Sequence, residues 1–406
     1  MLGMLLVATT MIGSGIFLLP ATLAAVGTIS VLGWVVAASA AMLIGLTMAR
    51  LASVSPYGFL DAIGLVFGPF AGQAVALLWV LAFPLGNAAI AIAAGGNVGF
   101  LAPSLATQPA ASWVATGFVA LMTLCAHRGA RAVALVGAIS LGVGMVPILL
   151  VGLFGIGHFD AALFRAGWNM SGGPAAAAVF QATILCFWAF LGLEAASLVS
   201  RQMRDPHINV PVATVGGVLL ATVVYLVATT VIAGMIPAQV LARSTAPFAD
   251  ATVLIFGPVA AGLVAVAAAL KASGTLGASL LNGTESWLSV QRQLRVPGLS
   301  YGAVNVVMGV LATAVVWATA SPTLGGQYGV LISVVVVLTL MIYGLAGLAL
   351  ARVRTGLARW TGLAAAAFSF GLVAVQGAQM LWLAAGLTVA TASAVWLWNR
   401  VRPRMA

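Results

Sequence analysis

The chain has 406 residues, 63% of them hydrophobic and only 5% charged, with a mean hydropathy of +1.18 and a formal net charge of +10. A water-soluble domain cannot expose that much apolar surface, so the composition excludes a soluble enzyme or binding module and calls for a lipid bilayer as solvent. The arginines are dispersed among short loops, with no basic helix and no interleaved aromatics, which argues against a nucleic-acid partner.

At roughly 20 apolar residues per span, apolar runs broken by Gly, Pro and Arg clusters predict about twelve membrane helices. They lie near 2–26, 29–53, 70–101, 111–126, 132–156, 175–200, 211–235, 254–285, 299–319, 327–350, 360–376 and 378–399. Span one carries Thr9-Thr10-Met11-Ile12-Gly13-Ser14-Gly15-Ile16-Phe17-Leu18-Leu19-Pro20. Gly costs about 1 kcal/mol in a helix interior, and unwound backbone inside a bilayer survives only where protein or a water-filled cavity covers it. Gly13-Ser14-Gly15 therefore reads either as a deliberate break whose free amides hold a carboxylate, or as a small-residue packing notch. About eleven residues precede it, roughly 16 Å of helix; either this half-helix is short or the true start lies upstream. There is no basic n-region or cleavage site of a secretory signal.

Span three holds Phe83-Pro84-Leu85-Gly86-Asn87, a polar residue beside a proline kink, suited to an interhelical hydrogen bond or to ligand contact. Span six holds Cys186-Phe187-Trp188-Ala189-Phe190-Leu191-Gly192-Leu193-Glu194-Ala195-Ala196-Ser197. An ionisable group within a span is costly and faces a cavity or a partner. Glu194 is thus either a proton carrier or a structural carboxyl bonded to backbone freed at Gly192, and Trp188 either lines a cavity or packs. In span eight, Lys271 lies roughly 25 Å along if the helix starts near Leu254. It either snorkels to the cytoplasmic interface, replaces a coupling cation, or exchanges a proton. Tyr328 and Tyr343 bracket span ten as interfacial anchors or gates.

With the N-terminus inside, Arg50, Arg128, Arg131, Arg201, Arg204, Arg292, Arg295, Arg352, Arg354, Arg359, Arg400, Arg402 and Arg404 fall on the cytoplasmic side, against Arg165 and Arg243 outside. This asymmetry is the positive-inside pattern and places both termini in the cytoplasm. Spans one and six then run in opposite directions, each opening a five-helix block. Paired interrupted helices of this kind point to a transporter site at an inverted-repeat interface. The symmetry rests on topology and the paired breaks, with no direct sequence repeat read. Cys125 and Cys186 sit in apolar context as buried thiols. No metal-spaced cluster, nucleophile constellation or Gly-Lys-Ser/Thr phosphate loop is present, so neither an enzyme, a metal, a cofactor nor ATP coupling is expected.

On Ile12-Gly13-Ser14-Gly15-Ile16-Phe17-Leu18-Leu19-Pro20, Phe67-Gly68-Pro69-Phe70, Gly86-Asn87, residues 190–197, Asn209-Val210-Pro211, Gly234-Met235-Ile236-Pro237 and Ser244-Thr245-Ala246-Pro247-Phe248, the chain resembles the amino acid–polyamine–organocation superfamily. Within it, the bacterial basic amino acid/polyamine antiporters are most similar, the arginine/agmatine antiporters above all. The resemblance implies a leucine-transporter-type fold in one membrane domain, 1–406: inverted repeats at 1–156 and 175–351 and two extra helices at 360–399. It implies that Ser14 and Gly15 hold a substrate carboxylate, and that carbonyls of Met11, Trp188 and Leu191 accept its ammonium. Ala82, Phe83 and Asn87 would face the side chain, with Trp188 gating above. Trp79 and Glu194 match inner-gate positions, and Tyr328 and Tyr343 match aromatics of span ten. It also implies a bacterial inner-membrane location and a homodimer, which spans eleven and twelve alone do not establish.

Three departures stand out. Gly274-Thr275-Leu276-Gly277-Ala278-Ser279-Leu280-Leu281-Asn282 lacks the span-eight tryptophan that stacks on guanidinium in those antiporters, Phe83 replaces a smaller residue, and Val335 replaces a serine. Losing the stacking partner removes about 0.5–2 kcal/mol of cation recognition. The sequence therefore predicts amino acid/polyamine antiport. Proton-coupled neutral amino acid export or uptake is the alternative, and a non-transporting membrane sensor a third.

Overall fold

A computed structural model describes residues 4, 11–13, 15–55, 58–194, 205–296 and 298–401, with the backbone alone for 206, 207 and 379. Every regular element among the described residues is helical. Ten helices there are long and apolar enough to cross a membrane. They correspond to spans two to five (Ser30–Leu51, Pro69–Leu101, Ala110–His127, Ala130–Phe154) and seven to twelve (Pro206–Met235, Pro258–Leu294, Tyr301–Ala318, Leu324–Val353, Gly356–Ala374, Ala378–Val401). Spans one and six are the exceptions: shorter apolar helices, Gly15–Ala24 and Ala175–Phe187, the latter continued by a 3-10 turn at Trp188–Phe190. The protein is an all-α, multi-pass membrane protein.

The predicted start of span one and the predicted end of span six lie outside the described residues. For the ten long spans predicted boundaries hold to a few residues except at span eight. That helix starts at Pro258, not near Leu254, because Gly257 (φ 82°) ends a separate short helix, Pro247–Phe256, and proline suits a first helical turn. At its other end it runs on to Leu294, past the apolar stretch, with Trp287 Nε1 donating to Gln291 Oε1 one turn later at 2.9 Å. Hydropathy marks where the bilayer ends, not where the hydrogen-bond ladder ends.

The same device precedes span three. A short helix, Phe59–Phe67, stops at Gly68 (φ 94°), and Pro69 opens the span. In both places a serine hydroxyl donates to an aspartate six residues on, Ser55 to Asp61 and Ser244 to Asp250. In both, phenylalanine stands two residues before the aspartate and Phe-Gly-Pro begins six after it. This is a direct sequence repeat, which the reading of topology and paired breaks had missed.

Contacts sort the connections into two ends. Arg50 bonds Thr361, Arg354 donates to Ser53 at 2.7 Å, Arg352 lies over the Phe67 ring, and Trp398 donates to the Leu294 carbonyl at 3.0 Å. Tyr301 donates to the Ala126 carbonyl at 3.0 Å at this same arginine-rich end. At the opposite end Thr28 N–H donates to the Gly167 carbonyl at 2.8 Å, Asp160 N–H to the Gly234 carbonyl at 2.9 Å, and a Cβ on Gly96 would collide with the Thr245 carbonyl. The helices alternate as twelve consecutive crossings require. Spans three and ten are the most enclosed and span twelve the least.

Candidate functional site

The span-one break is real. Helical backbone reaches Met11, bends at Ile12 and Gly13, and resumes at Gly15. Gly13 N–H donates to the Met11 carbonyl at 2.6 Å. Ser14 lies outside the described residues. Gly15 is held by approach rather than by dihedral: a Cβ there would stand 2.5 Å from Trp188 Nε1. Tyr328 Oη donates to the Gly15 carbonyl at 2.9 Å and meets the Trp188 ring edge-on at 6.5 Å. The far rim of the same indole lies over Gly86, whose Cβ would sit 3.5 Å from it. Trp188 thus joins spans one, three, six and ten at one point.

Span six opens at its second half. After the 3-10 turn, Leu191 is extended (ψ 136°) and Gly192 takes φ 100°, a region open to glycine and strained for other residues. Leu191 N–H donates to the Trp188 carbonyl at 3.2 Å, taking one of its two acceptor positions. Tyr225, on span seven, donates to the Ala189 carbonyl at 3.0 Å and stacks on Trp34 at 5.2 Å, so spans seven and two brace the broken backbone. Glu194 follows, 7% exposed. Its Oε2 accepts from Tyr343 Oη at 2.8 Å, and its carboxyl also takes backbone hydrogen bonds at Gly192 and at Glu194 itself. The Glu194 carboxyl thus sits on backbone freed at Gly192 and against the Tyr343 phenol.

The gate positions converge through a residue that sequence reasoning had passed over. Phe59, first residue of its short helix, meets Trp79 edge-on at 5.5 Å and Tyr343 at 5.8 Å. Trp79 in turn meets Phe83 at 5.9 Å, and Phe187 meets Tyr343 at 6.5 Å. Trp79, Phe83, Tyr343 and Glu194 are therefore one contiguous cluster on the arginine-rich side of Trp188. Phe83 also packs on span eight, where a Cβ at Gly283 would lie 3.0 Å from it. Ala82 is buried beside it.

Asn87 sits one residue beyond Gly86. It is fully buried, and neither atom of its amide has a hydrogen-bond partner. A buried polar group left without a hydrogen bond costs about 1–3 kcal/mol. Lys271 stands apart, buried on span eight with its stem crossing Gly144 of span five, where any Cβ would collide. It lies thirteen residues from Pro258, about 20 Å, and about 35 Å from Leu294. Lys271 thus lies nearer the Pro258 start of span eight than its Leu294 end. Thr275, one turn further along, approaches the break: a Cβ on Gly13 would lie 3.3 Å from its methyl. Thr275 and Phe59 were absent from the sequence-based site. The repeated Ser/Asp/Phe-Gly-Pro pattern could have pointed to Phe59; nothing in an apolar sequence marks Thr275 or Tyr225.

Against known proteins, the family profile described as amino acid permease matches residues 4–350. The cadaverine/lysine antiporter of Escherichia coli (strain K12) is 34% identical over 304 residues, covering 75% of this chain and 67% of that protein. The putrescine transporter PotE of the same strain is 30% identical over 351 residues, 84% of this chain and 80% of that protein. PotE of Haemophilus influenzae is 29% identical over 357 residues, 86% and 82% of the two chains. These relatives are transporters and not enzymes. The chain belongs to the amino acid permease family, in the amino acid–polyamine–organocation superfamily.

Proposed function

We propose that this protein is an inner-membrane antiporter that exchanges amino acids or their decarboxylated amines by alternating access, with both termini cytoplasmic. The substrate carboxylate rests on the amides of the span-one break around Ser14 and Gly15. Its ammonium faces the free acceptor positions on the carbonyls of Met11, Trp188 and Leu191, and Asn87 binds the polar part of the substrate. Trp188 with Tyr328 closes one side. Trp79, Phe83, Tyr343 and Glu194 close the other, and Glu194 links the cycle to protons. Two blocks, 1–156 and 175–351, rock about this centre, flanked by 360–399.

The observation that carries the reading is the meeting of both helix breaks at Trp188, whose indole touches Gly15 while its own backbone begins the unwinding of span six. Similarity to a cadaverine/lysine antiporter supports exchange of an amino acid against an amine. The test is counterflow in proteoliposomes. Internal unlabelled amino acid should accelerate entry of the labelled one several-fold, and a Gly15→Leu variant should abolish this while remaining folded. Absence of trans-stimulation by any amino acid or amine would sink exchange. A second reading, proton-coupled transport of a neutral amino acid, draws on the span-eight stretch 274–282 with no aromatic. It predicts flux driven by a proton gradient alone, with a pH dependence that Glu194→Gln flattens.

A further inference from the structure

Among the described residues one carboxyl and one amine side chain lie deep in the membrane domain, Glu194 and Lys271, each under 10% exposed. They are treated very differently. Glu194 is held by a phenol and two backbone amides. No hydrogen bond or ion pair holds the Lys271 ammonium among the described residues. Five helices pack most closely against span eight: spans three, four, five and nine and the short Pro247–Phe256 helix. Span three has no titratable side chain; span four has Cys125 and His127, span five Arg131 and span nine Tyr301, all toward the arginine-rich end. The one carboxylate on these helices, Asp250, is engaged by Ser244. Lys271 is thus a cation on a buried stem with no counter-ion among the described residues, and Gly144 is the small residue that admits the stem.

Its place along the helix gives the charge a target. Thr275 hydroxyl donates back to the Lys271 carbonyl at 3.1 Å, and Thr275 is the span-eight residue that reaches Gly13. One helical turn is about 5.4 Å, so the backbone of Lys271 stands on the order of 10 Å from the break of span one. At that separation and an effective dielectric constant of about 20, two like unit charges repel enough to weaken binding roughly tenfold or more.

We infer that Lys271 is a fixed intramembrane charge that sets the charge of the substrate: amino acids of net charge zero are favoured over cationic amino acids, and these over diamines. The inference rests on the proposed carboxylate site at the span-one break. It separates this protein's specificity from that of diamine-carrying relatives without any change at the break itself. A zwitterion adds no net charge beside Lys271; lysine adds one positive charge, and cadaverine adds two while lacking the carboxylate.

L-norleucine and L-lysine differ by the terminal ammonium, which makes them the discriminating pair. Thermal-shift titration of the full-length protein in detergent should give norleucine an affinity at least tenfold above that of lysine, with cadaverine weaker still. Lys271→Met, which keeps a long stem over Gly144, should shrink the norleucine-to-lysine ratio by about tenfold, and Lys271→Arg should keep it as in the wild type. Lysine or cadaverine binding the wild type as tightly as norleucine would overturn the inference, and so would a ratio unchanged in Lys271→Met. The wild-type comparison decides even if the methionine variant does not fold. Failure of every amino acid to bind would remove the carboxylate site, and the inference with it.

Discussion

Asn87 carries the plainest energetic statement in the protein. A fully buried amide with no hydrogen-bond partner is a cost to the fold. Asn87→Leu, branched in the same way but apolar, should therefore raise the thermal stability of substrate-free protein by about 1–3 kcal/mol. In the same variant the stabilisation that substrate confers should fall, measured by melting curves with and without amino acid. A loss of stability in the empty protein would show that the amide is satisfied in a way the structure does not contain. Tyr343→Phe is the complementary change. It removes one of the bonds to the Glu194 carboxyl and should destabilise by about 1–3 kcal/mol, while displacing the pH profile of transport. At this scale the sequence was legible where residue type contrasts with surroundings: Gly15, Gly192 and Glu194 stand out in apolar helices. Phe59, Tyr225 and Thr275 do not, because one more aromatic or small polar residue in a helix buried on several sides leaves no trace in the pattern.

Short helices before spans three and eight explain the one boundary that hydropathy misplaced. Phe256 and the residues before it are as apolar as the span they precede, and only the Gly257-Pro258 pair shows that the chain has turned. The pair also places Lys271 some four residues nearer the helix start than hydropathy does. Asp250, outside the bilayer-crossing segments, gives this element a pH signature. Burial pushes its carboxyl up, partly offset by the Ser244 hydroxyl bond. The native state then holds this proton to higher pH than the unfolded chain does, so stability falls as pH rises from the ordinary aspartate value of 3.8 through the raised one, and levels off above it. Asp250→Asn should flatten that part of the melting-temperature profile and leave the neutral-pH fold intact. A profile identical to wild type would assign the dependence elsewhere.

For the molecule as a whole, alternation of the twelve crossings was legible because arginines collect at one end, a signal that a single missed helix would have scrambled. What the pattern alone did not convey is which helices are central: span three and span twelve look alike in composition, yet one is enclosed and the other lines the perimeter. Orientation can be checked directly. In a background lacking Cys125 and Cys186, Ser171→Cys should react with a membrane-impermeant maleimide added to intact cells, and Ser53→Cys only after the membrane is opened. The reverse pattern would invert the proposed topology.

The duplicated serine–aspartate clasp bears on how the ends of the molecule are built. One clasp sits at the arginine-rich end and its twin at the other. Each ties down the chain ahead of a short helix whose Gly-Pro exit launches one of the long spans, three in the first case and eight in the second. The same local chemistry, used once at each face, fixes where a span enters the bilayer, so loosening one clasp, as by Asp61→Asn, should disturb the entry to span three and leave the entry to span eight as it was.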